Sequence, residues 1–230
     1  MIFLNSIYYF FNFIIGTCLA SHALVIYERW PERNIIFARS HCDNCKFELS
    51  LLDEIPLFSF LVLRGRCKYC QSSIPAELFL FELIGGIAFT TIDFSNKNGI
   101  LTSILLFSLL LVTISDYNQQ NFDLLFLVPA ALIAIFYNQF SNYNLIDWIS
   151  FICIISILGW NVFKQKMGSG DLIIYLIISS YFSTTVANFT LLIASLLAII
   201  VFLIERNDKN QSFPFLPFIF TGLAFTQFLV

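Results

Sequence analysis

Charged residues are scarce in this chain of 230 residues, where Asp, Glu, Lys and Arg together make up only 12%. Soluble globular domains usually contain about 25% charged residues. Hydrophobic residues account for 58% of the sequence, and its mean hydropathy is +0.82. These values exclude an ordinary soluble domain and predict an all-α polytopic membrane protein.

The features of a cleavable signal peptide are also missing. The first apolar stretch, residues 2–27, has no basic segment before it and no small-residue cleavage site after it. It is also longer than the apolar core of a signal peptide. We therefore interpret this stretch as a retained first transmembrane helix.

Long apolar runs occupy most of the remaining sequence. A helix needs about 20 apolar residues to cross the hydrocarbon core of a membrane. The sequence offers eight candidate spans: residues 2–27, 76–94, 99–115, 122–138, 145–163, 171–182, 189–204 and 213–230. The sixth and seventh share one uncharged run, and the polar residues at 183–185 and 188 predict a turn within it.

The basic residues are distributed unevenly over the loops between these spans. With eight spans and the N-terminus outside, 11 of the 12 Lys and Arg residues lie on the cytoplasmic side, and only Lys97 lies outside. This asymmetry is typical of inner-membrane proteins. The sequence therefore predicts a first helix at residues 1–27, a cytoplasmic loop at 28–75 and a seven-helix membrane domain at 76–230.

Four of the six cysteines form two Cys-x-x-Cys pairs within the predicted cytoplasmic loop. They are Cys42, Cys45, Cys67 and Cys70. Each pair can present two thiolates from a tight turn, and two pairs complete a tetrahedral site for structural zinc. A disulfide pair or a redox dithiol is the alternative, but a cytoplasmic loop disfavours disulfides. We therefore expect a structural zinc ion bound by these four thiolates.

Two acidic residues lie at the ends of apolar runs, on the predicted cytoplasmic side. Asp116 follows residues 100–115, and Asp171 ends the sequence Met-Gly-Ser-Gly-Asp that opens a later run. A carboxylate at a membrane edge loses hydration and gains nothing from lipid. Taken singly, a helix cap explains either acid equally well.

The glycines before Asp171 favour a functional interpretation. Gly168 and Gly170 allow a tight turn and the close approach of another chain. We therefore interpret Asp116 and Asp171 as an aspartic dyad, in which one carboxyl acts as general base and the other as general acid. The other acids are less suited to this role. Glu77 and Glu82 lie at the predicted cytoplasmic start of the second span, where they could support helix packing or substrate, and Asp93, Asp123 and Asp147 have no glycine turn.

The ordered set of motifs resembles the type IV prepilin peptidases. Residues 16–31 and 53–60 are similar to that family's first-span and N-I-P-L-x-S-W motifs. Residues 40–45 and 64–70 are similar to its two cysteine motifs, and residues 167–171 contain its G-x-G-D motif. The chain departs from the family pattern after Asp116, where no proline follows, and at Ile173, where the family often has a basic residue. Asp116 fits the family's other catalytic aspartate best, and Asp123 is the alternative.

This resemblance implies a membrane aspartic endopeptidase of the bacterial inner membrane, with its active site facing the cytoplasm. Its expected partners are membrane lipid and prepilins or type II secretion pseudopilins, with no nucleic acid. The resemblance also implies N-methylation of the new N-terminus from S-adenosylmethionine. The alternatives are a peptidase without methyltransferase activity, a proton-coupled transporter and an inactive zinc-loop scaffold. A transporter commonly has paired halves, which this sequence does not show.

Overall fold

A computed structural model describes residues 2–31, 39–120, 123–205 and 214–229. Four residues that the charge and topology predictions used lie outside the described residues: Arg33, Arg206, Lys209 and Val230. Nine α-helices lie within the described ranges: α1 (Ile2–Arg29), α2 (Phe58–Val62), α3 (Ala76–Phe89), α4 (Lys97–Gln119), α5 (Leu124–Phe136), α6 (Leu145–Phe163), α7 (Ser169–Tyr181), α8 (Thr184–Glu205) and α9 (Leu216–Leu229). The same ranges contain no β-strand, only two isolated β-bridges. The predicted all-α class is confirmed.

Four helices are long and apolar enough to cross a membrane. They are Ser6–Arg29, Lys97–Gln119, Leu145–Phe163 and Thr184–Ile204. Three shorter apolar helices accompany them at Leu124–Phe136, Ser169–Tyr181 and Leu216–Leu229. The chain is therefore a multi-pass membrane protein, and the count of eight spans stays a prediction.

The predicted turn inside the long uncharged run is present. Helix α7 ends at Tyr181 and α8 begins at Thr184, so the run forms two helices. The polar residues of this region also connect the two helices, because the Tyr175 hydroxyl donates to the Asn188 side-chain oxygen at 3.0 Å.

The chain divides into two compact units, Met1–Ile92 and Asp93–Val230. In the N-terminal unit, α1 packs against α3 through glycine. A Cβ atom on Gly16 would lie 2.7 Å from the backbone oxygen of Gly85 and from Cβ of Phe89. The Asn12 amide donates to the carbonyl oxygen of Ile92 at 2.7 Å, beyond the end of α3. Going forward along α1 from Asn12 to Gly16, the contacts move backward in the sequence, from Ile92 to Gly85. The two helices therefore run antiparallel.

The segment between α1 and α3 carries the four cysteines and the short helix α2. Leu57, with φ of 59°, precedes α2 and donates its N–H to Oε2 of Glu82 at 2.8 Å. The rings of Phe60 and Phe79 lie 5.0 Å apart. These two contacts hold α2 against the first half of α3.

In the C-terminal unit, α4 is the most buried of the long apolar helices. It packs against α5 and α9, and α7 packs against α5, α6 and α8. Helices α8 and α9 approach closely at Gly222, where a Cβ atom would lie 2.6 Å from the backbone oxygen of Thr190. Thr190 and Thr226 share a hydrogen bond of 2.9 Å in the same contact. Small residues commonly permit such close helix packing in membranes.

Candidate active site and metal centre

Asp116 lies in the last turn of α4, beside the start of α9. Its Oδ2 atom accepts a hydrogen bond of 3.3 Å from the backbone N–H of Leu216, the first residue of α9. The N-terminus of a helix carries partial positive charge and favours a carboxylate. The α4 helix ends just beyond Asp116, because Gln120 adopts a left-handed conformation and donates its N–H to the Asp116 carbonyl oxygen at 2.8 Å. Sequence analysis missed the Leu216 contact, for which no local signal exists.

Asp171 lies in the first turn of α7 and is only 8% exposed. Helix α7 begins at Ser169, with Gly168 as the preceding N-cap residue. Gly168 has φ of −69° and ψ of 148°, a conformation open to any residue. A Cβ atom there would meet nothing closer than the backbone nitrogen of Gly170, at 4.0 Å. The backbone at position 168 therefore does not require glycine, and there is room there for another chain to approach.

Asp116 and Asp171 come from distant parts of the sequence, and their carboxyls interact electrostatically. Asp116 lies near the end of α4, beside the start of α9, and Asp171 lies in the first turn of α7. Two neighbouring carboxyls can share a proton, so that one acts as a base while the other acts as an acid. This arrangement can activate a water molecule for hydrolysis.

The competing acids of this unit have other hydrogen-bond partners. Asp123 is exposed and accepts a hydrogen bond of 3.0 Å from the N–H of Leu125 at the start of α5. Asp147 accepts hydrogen bonds from the N–H of Asn144 at 2.9 Å and from Oγ1 of Thr184 at 3.0 Å. Both are helix-capping arrangements. The geometry therefore favours Asp116 over Asp123 as the partner of Asp171.

The four cysteines of the N-terminal unit form a cluster suited to a metal ion. Their Sγ atoms all lie within 4.8 Å of one another. A tetrahedral zinc ion with Zn–S bonds of about 2.3 Å separates its sulfur ligands by about 3.8 Å. The Sγ atoms of Cys42 and Cys70 lie 3.8 Å apart, and all four cysteines are free of disulfides. The donor set and its spacing fit an ion bound by four thiolates.

Both cysteine pairs adopt the same hairpin, which sequence analysis did not anticipate. In the first hairpin the Cys42 N–H donates to the Phe47 carbonyl oxygen, and in the second the Cys67 N–H donates to the Ser72 carbonyl oxygen, at 3.0 and 2.8 Å. A left-handed residue follows the second cysteine of each pair: Lys46 with φ of 56° and Gln71 with φ of 59°. The rings of Phe47 and Tyr69, one from each hairpin, pack against each other with centroids 3.8 Å apart and planes tilted by 33°.

Hydrogen bonds favour the thiolate form of Cys70 and Cys42, whereas burial and hydrogen bonds with these two neighbouring thiols raise the pKa of Cys45 to about 11. The Ser72 hydroxyl lies 3.1 Å from Sγ of Cys70 and, together with the Ser72 backbone N–H, lowers the pKa of Cys70 to about 6. The backbone N–H groups of Cys45 and Asn44 lower the pKa of Cys42. Thiolates are the form of cysteine that binds metal ions.

The sequence of the chain is similar to a peptidase family model and to proteins named as prepilin-processing enzymes. Residues 14–95 match the family model described as the bacterial peptidase A24 N-terminal domain. The chain is 28% identical over 204 residues to a prepilin leader peptidase/N-methyltransferase of Myxococcus xanthus. It is 27% identical over 209 residues to a type 4 prepilin-like proteins leader peptide-processing enzyme of Escherichia coli O78:H11. A prepilin leader peptidase/N-methyltransferase of Pseudomonas aeruginosa is 24% identical over 203 residues.

These alignments cover most of the chain and a variable share of the relatives. They include 83%, 85% and 81% of this chain, and 61%, 77% and 70% of the three relatives in the same order. The chain thus spans less than two thirds of the Myxococcus relative. No solved structure matches the chain.

Proposed function

We propose that the chain is a membrane aspartic endopeptidase of the type IV prepilin peptidase family, to whose members it is similar over most of its length. Its substrates are prepilins or type II secretion pseudopilins, from which it removes the leader peptide. The observation that carries this proposal is the electrostatic interaction between Asp116, near the end of α4, and Asp171, in the first turn of α7. The names of the relatives, which describe prepilin leader processing, support the choice of substrate.

Hydrolysis by this pair needs two proton transfers. One carboxylate removes a proton from water while the water oxygen bonds to the scissile carbonyl carbon. The other carboxyl, in its protonated form, donates its proton to the departing nitrogen as the C–N bond breaks. The Leu216 N–H orients the Asp116 carboxyl, and burial excludes most of the solvent from Asp171.

The proposed topology has eight spans, formed by α1 and α3–α9, with the N-terminus outside the cytoplasm. Residues 1–27 form the first span, residues 28–75 the cytoplasmic loop and residues 76–230 the membrane peptidase domain. The excess of Lys and Arg in the cytoplasmic segments supports this orientation in the bacterial inner membrane. It puts the dyad where the leader of a prepilin is accessible.

The four-cysteine cluster is proposed to hold a structural zinc ion. Cys42, Cys45, Cys67 and Cys70 would supply four thiolates, and a zinc site closed by four protein ligands has no open position for substrate. The ion would join the two hairpins and stabilise a loop that has little apolar core of its own. It takes no part in peptide hydrolysis in this proposal.

Methylation of the new N-terminus is the second activity in the proposal. The printed names of the Myxococcus and Pseudomonas relatives include N-methyltransferase, and S-adenosylmethionine fits that name as the methyl donor. We assign no residue of this chain to the methyl donor.

The decisive experiment is co-expression of the full chain with a candidate prepilin in a strain lacking its own prepilin peptidase. Leader loss is measured by electrophoretic mobility, and methylation by the intact mass of the product's N-terminal peptide. We expect a shortened, methylated product. A shortened but unmethylated product would identify a peptidase without methyltransferase activity.

An uncut prepilin would contradict the proposal, provided that the chain is present in the membrane. The same outcome is expected for a zinc-loop scaffold and for a proton-coupled transporter. A measurement of proton flux in liposomes distinguishes the scaffold from the transporter, because only the transporter conducts protons.

A further inference from the structure

Helix α2 and the residues before it carry an exposed apolar surface between the two cysteine hairpins. Phe58, Leu61 and Val62 are 58%, 63% and 61% exposed, and Leu51 and Leu52 are 78% and 72% exposed. In α2, the spacing of three and four residues puts the first three side chains on one face of the helix. We call these five side chains the α2 surface. An apolar surface of this kind generally marks an interaction site.

The opposite side of α2 is anchored to α3. Phe60 packs its ring against Phe79, in the first turn of α3, with ring centroids 5.0 Å apart. The Leu57 N–H donates to the Glu82 carboxylate, one turn further along α3, at 2.8 Å. The position of the α2 surface is therefore set by the beginning of α3.

The beginning of α3 lies level with the last turns of α1. The two helices are antiparallel, with Asn12 beside Ile92 and Gly16 beside Gly85. The apolar span of α1 runs from Ser6 to Arg29, so its last turns mark one edge of the hydrocarbon core. This register puts α2 at the membrane edge and not out in the aqueous part of the loop.

Basic residues follow directly after the α2 surface. Arg64 and Arg66 are both exposed. An apolar face bordered by Arg or Lys is typical of segments that lie in the interface of an anionic membrane. The apolar side chains enter the acyl boundary while the guanidinium groups stay among the headgroups.

We propose that the α2 surface inserts into the lipid interface at the N-terminal end of α3, and that Arg64 and Arg66 bind anionic headgroups there. This contact would hold the four-cysteine loop against the membrane surface. It is independent of the peptidase activity. Anchoring on a membrane helix and the adjacent basic residues favour lipid over a protein partner as the occupant.

The test replaces Leu61 with a fluorescent noncanonical amino acid in the whole chain and measures how deeply this probe lies in a lipid bilayer. The protein is placed in nanodiscs of phosphatidylcholine with phosphatidylglycerol, and quenching by brominated lipid is compared with quenching by iodide. A matched probe replaces Asp43, whose side chain is 94% exposed on the first hairpin. We expect brominated lipid to remove most of the emission at Leu61 and iodide to remove little, with the reverse pattern at Asp43.

A charge variant tests the headgroup contact. Arg64→Gln should reduce lipid quenching at Leu61 in nanodiscs that contain phosphatidylglycerol, and should have no effect in phosphatidylcholine alone. Lys46→Gln, at a 66% exposed side chain on the first hairpin, is the control and should have no effect in either. Equal effects of the two variants would overturn the headgroup assignment.

Strong iodide quenching at Leu61 without lipid quenching would overturn the whole proposal. It would show that the α2 surface faces water in a bilayer and is available to a protein partner. An unchanged thermal unfolding midpoint of each probe variant establishes that the fold is intact, because Leu61 and Asp43 are both exposed.

Discussion

Asp116 and Asp123 lie close together in the sequence, but their carboxylates have different surroundings. Asp116 is partly buried and interacts electrostatically with Asp171, whereas Asp123 is exposed and caps α5. Sequence analysis preferred Asp116 and kept Asp123 as the alternative. The local sequence could not exclude Asp123, because the choice depends on which carboxyl interacts with Asp171 in the folded chain.

Replacing either member of the proposed dyad should abolish leader cleavage. Asp116→Asn and Asp171→Asn each remove a carboxyl that must exchange a proton, and an amide cannot do so. We expect prepilin processing by purified enzyme in detergent to fall by about 10⁴-fold or more, as is usual when a residue of a cooperating catalytic set is lost. Membrane insertion and thermal unfolding should remain close to those of the parent.

Asp123→Asn is the matched control for this experiment. Asparagine caps a helix about as well as aspartate, so α5 should be unaffected and cleavage should continue. An inactive Asp123→Asn enzyme beside an active Asp116→Asn enzyme would transfer the role to Asp123.

Gly168→Ala should slow cleavage with little effect on the stability of the fold. The backbone at Gly168 suits any residue, and a new Cβ has at least 4.0 Å of clearance. We expect the free energy of unfolding to change by no more than about 1 kcal/mol. Cleavage should slow with a raised KM, because the methyl group would occupy space that we assign to the approaching substrate. Unchanged kinetics would show that the substrate does not use this space.

At the scale of the helices, glycine controls how closely α1 approaches α3. Gly16→Ala would put a methyl group 2.7 Å from the Gly85 carbonyl oxygen, so the helices must separate. We expect a loss of roughly 1–3 kcal/mol in the free energy of unfolding. Thermal unfolding in detergent measures this loss.

Gly159→Ala provides the comparison for Gly16→Ala. A Cβ atom at Gly159 in α6 would meet only Cδ1 of Leu172 at 3.8 Å, which is ordinary contact. Stability should stay the same or rise slightly, since alanine favours helix more than glycine does. Equal destabilisation by both variants would contradict the packing argument for Gly16.

The two hairpins should together retain about one zinc ion per chain. Cys67→Ser replaces a buried ligand, and should abolish zinc binding and expose residues 39–75 to limited proteolysis while sparing most of the peptidase activity. Cys153→Ser, at an exposed position in α6, should retain the zinc. Elemental analysis of purified protein measures the metal, and a disulfide between Cys42 and Cys70 would contradict the assignment.

Most helices could be predicted because their apolar runs are long and are interrupted by charged or polar residues. The break between α7 and α8 follows from the polar residues near 183, and the start of α7 follows from the glycine sequence before Asp171. The four thiolates could be grouped by their spacing alone. Contacts between distant segments could not be predicted, because nothing near Glu82 in the sequence identifies Leu57 as its hydrogen-bond donor.

At the scale of the whole molecule, the predicted topology can be tested without measuring catalysis, by the accessibility of single cysteines from each side of the membrane. Cysteine probes at Lys97 should react with a membrane-impermeant reagent from the periplasmic side in a variant without Cys18 and Cys153. Probes at Arg66 and Lys166 should react only after the membrane is opened. The positive-inside rule predicts this pattern, since the eight-span topology puts 11 of the 12 basic residues on the cytoplasmic side.

Accessibility of Lys166 from the periplasm would show that the number of spans before it differs from the proposed number. The loop that carries the G-x-G-D sequence would then face away from the cytoplasm. That result would separate the dyad from the leader peptide, and would contradict the proposed function as well as the topology.

The hydrogen bond from Leu216 to Asp116 comes from the main chain, and this limits how mutation can act on it. Any side chain at position 216 leaves the N–H in place, except proline, which has none. Proline is tolerated at the first residue of a helix, so Leu216→Pro would remove one hydrogen-bond donor and leave the helical conformation accessible. The Leu216 side chain is buried and is constrained by packing, but its contact with a proposed catalytic group does not depend on that side chain. A comparison of side chains alone would therefore not reveal the role of this position.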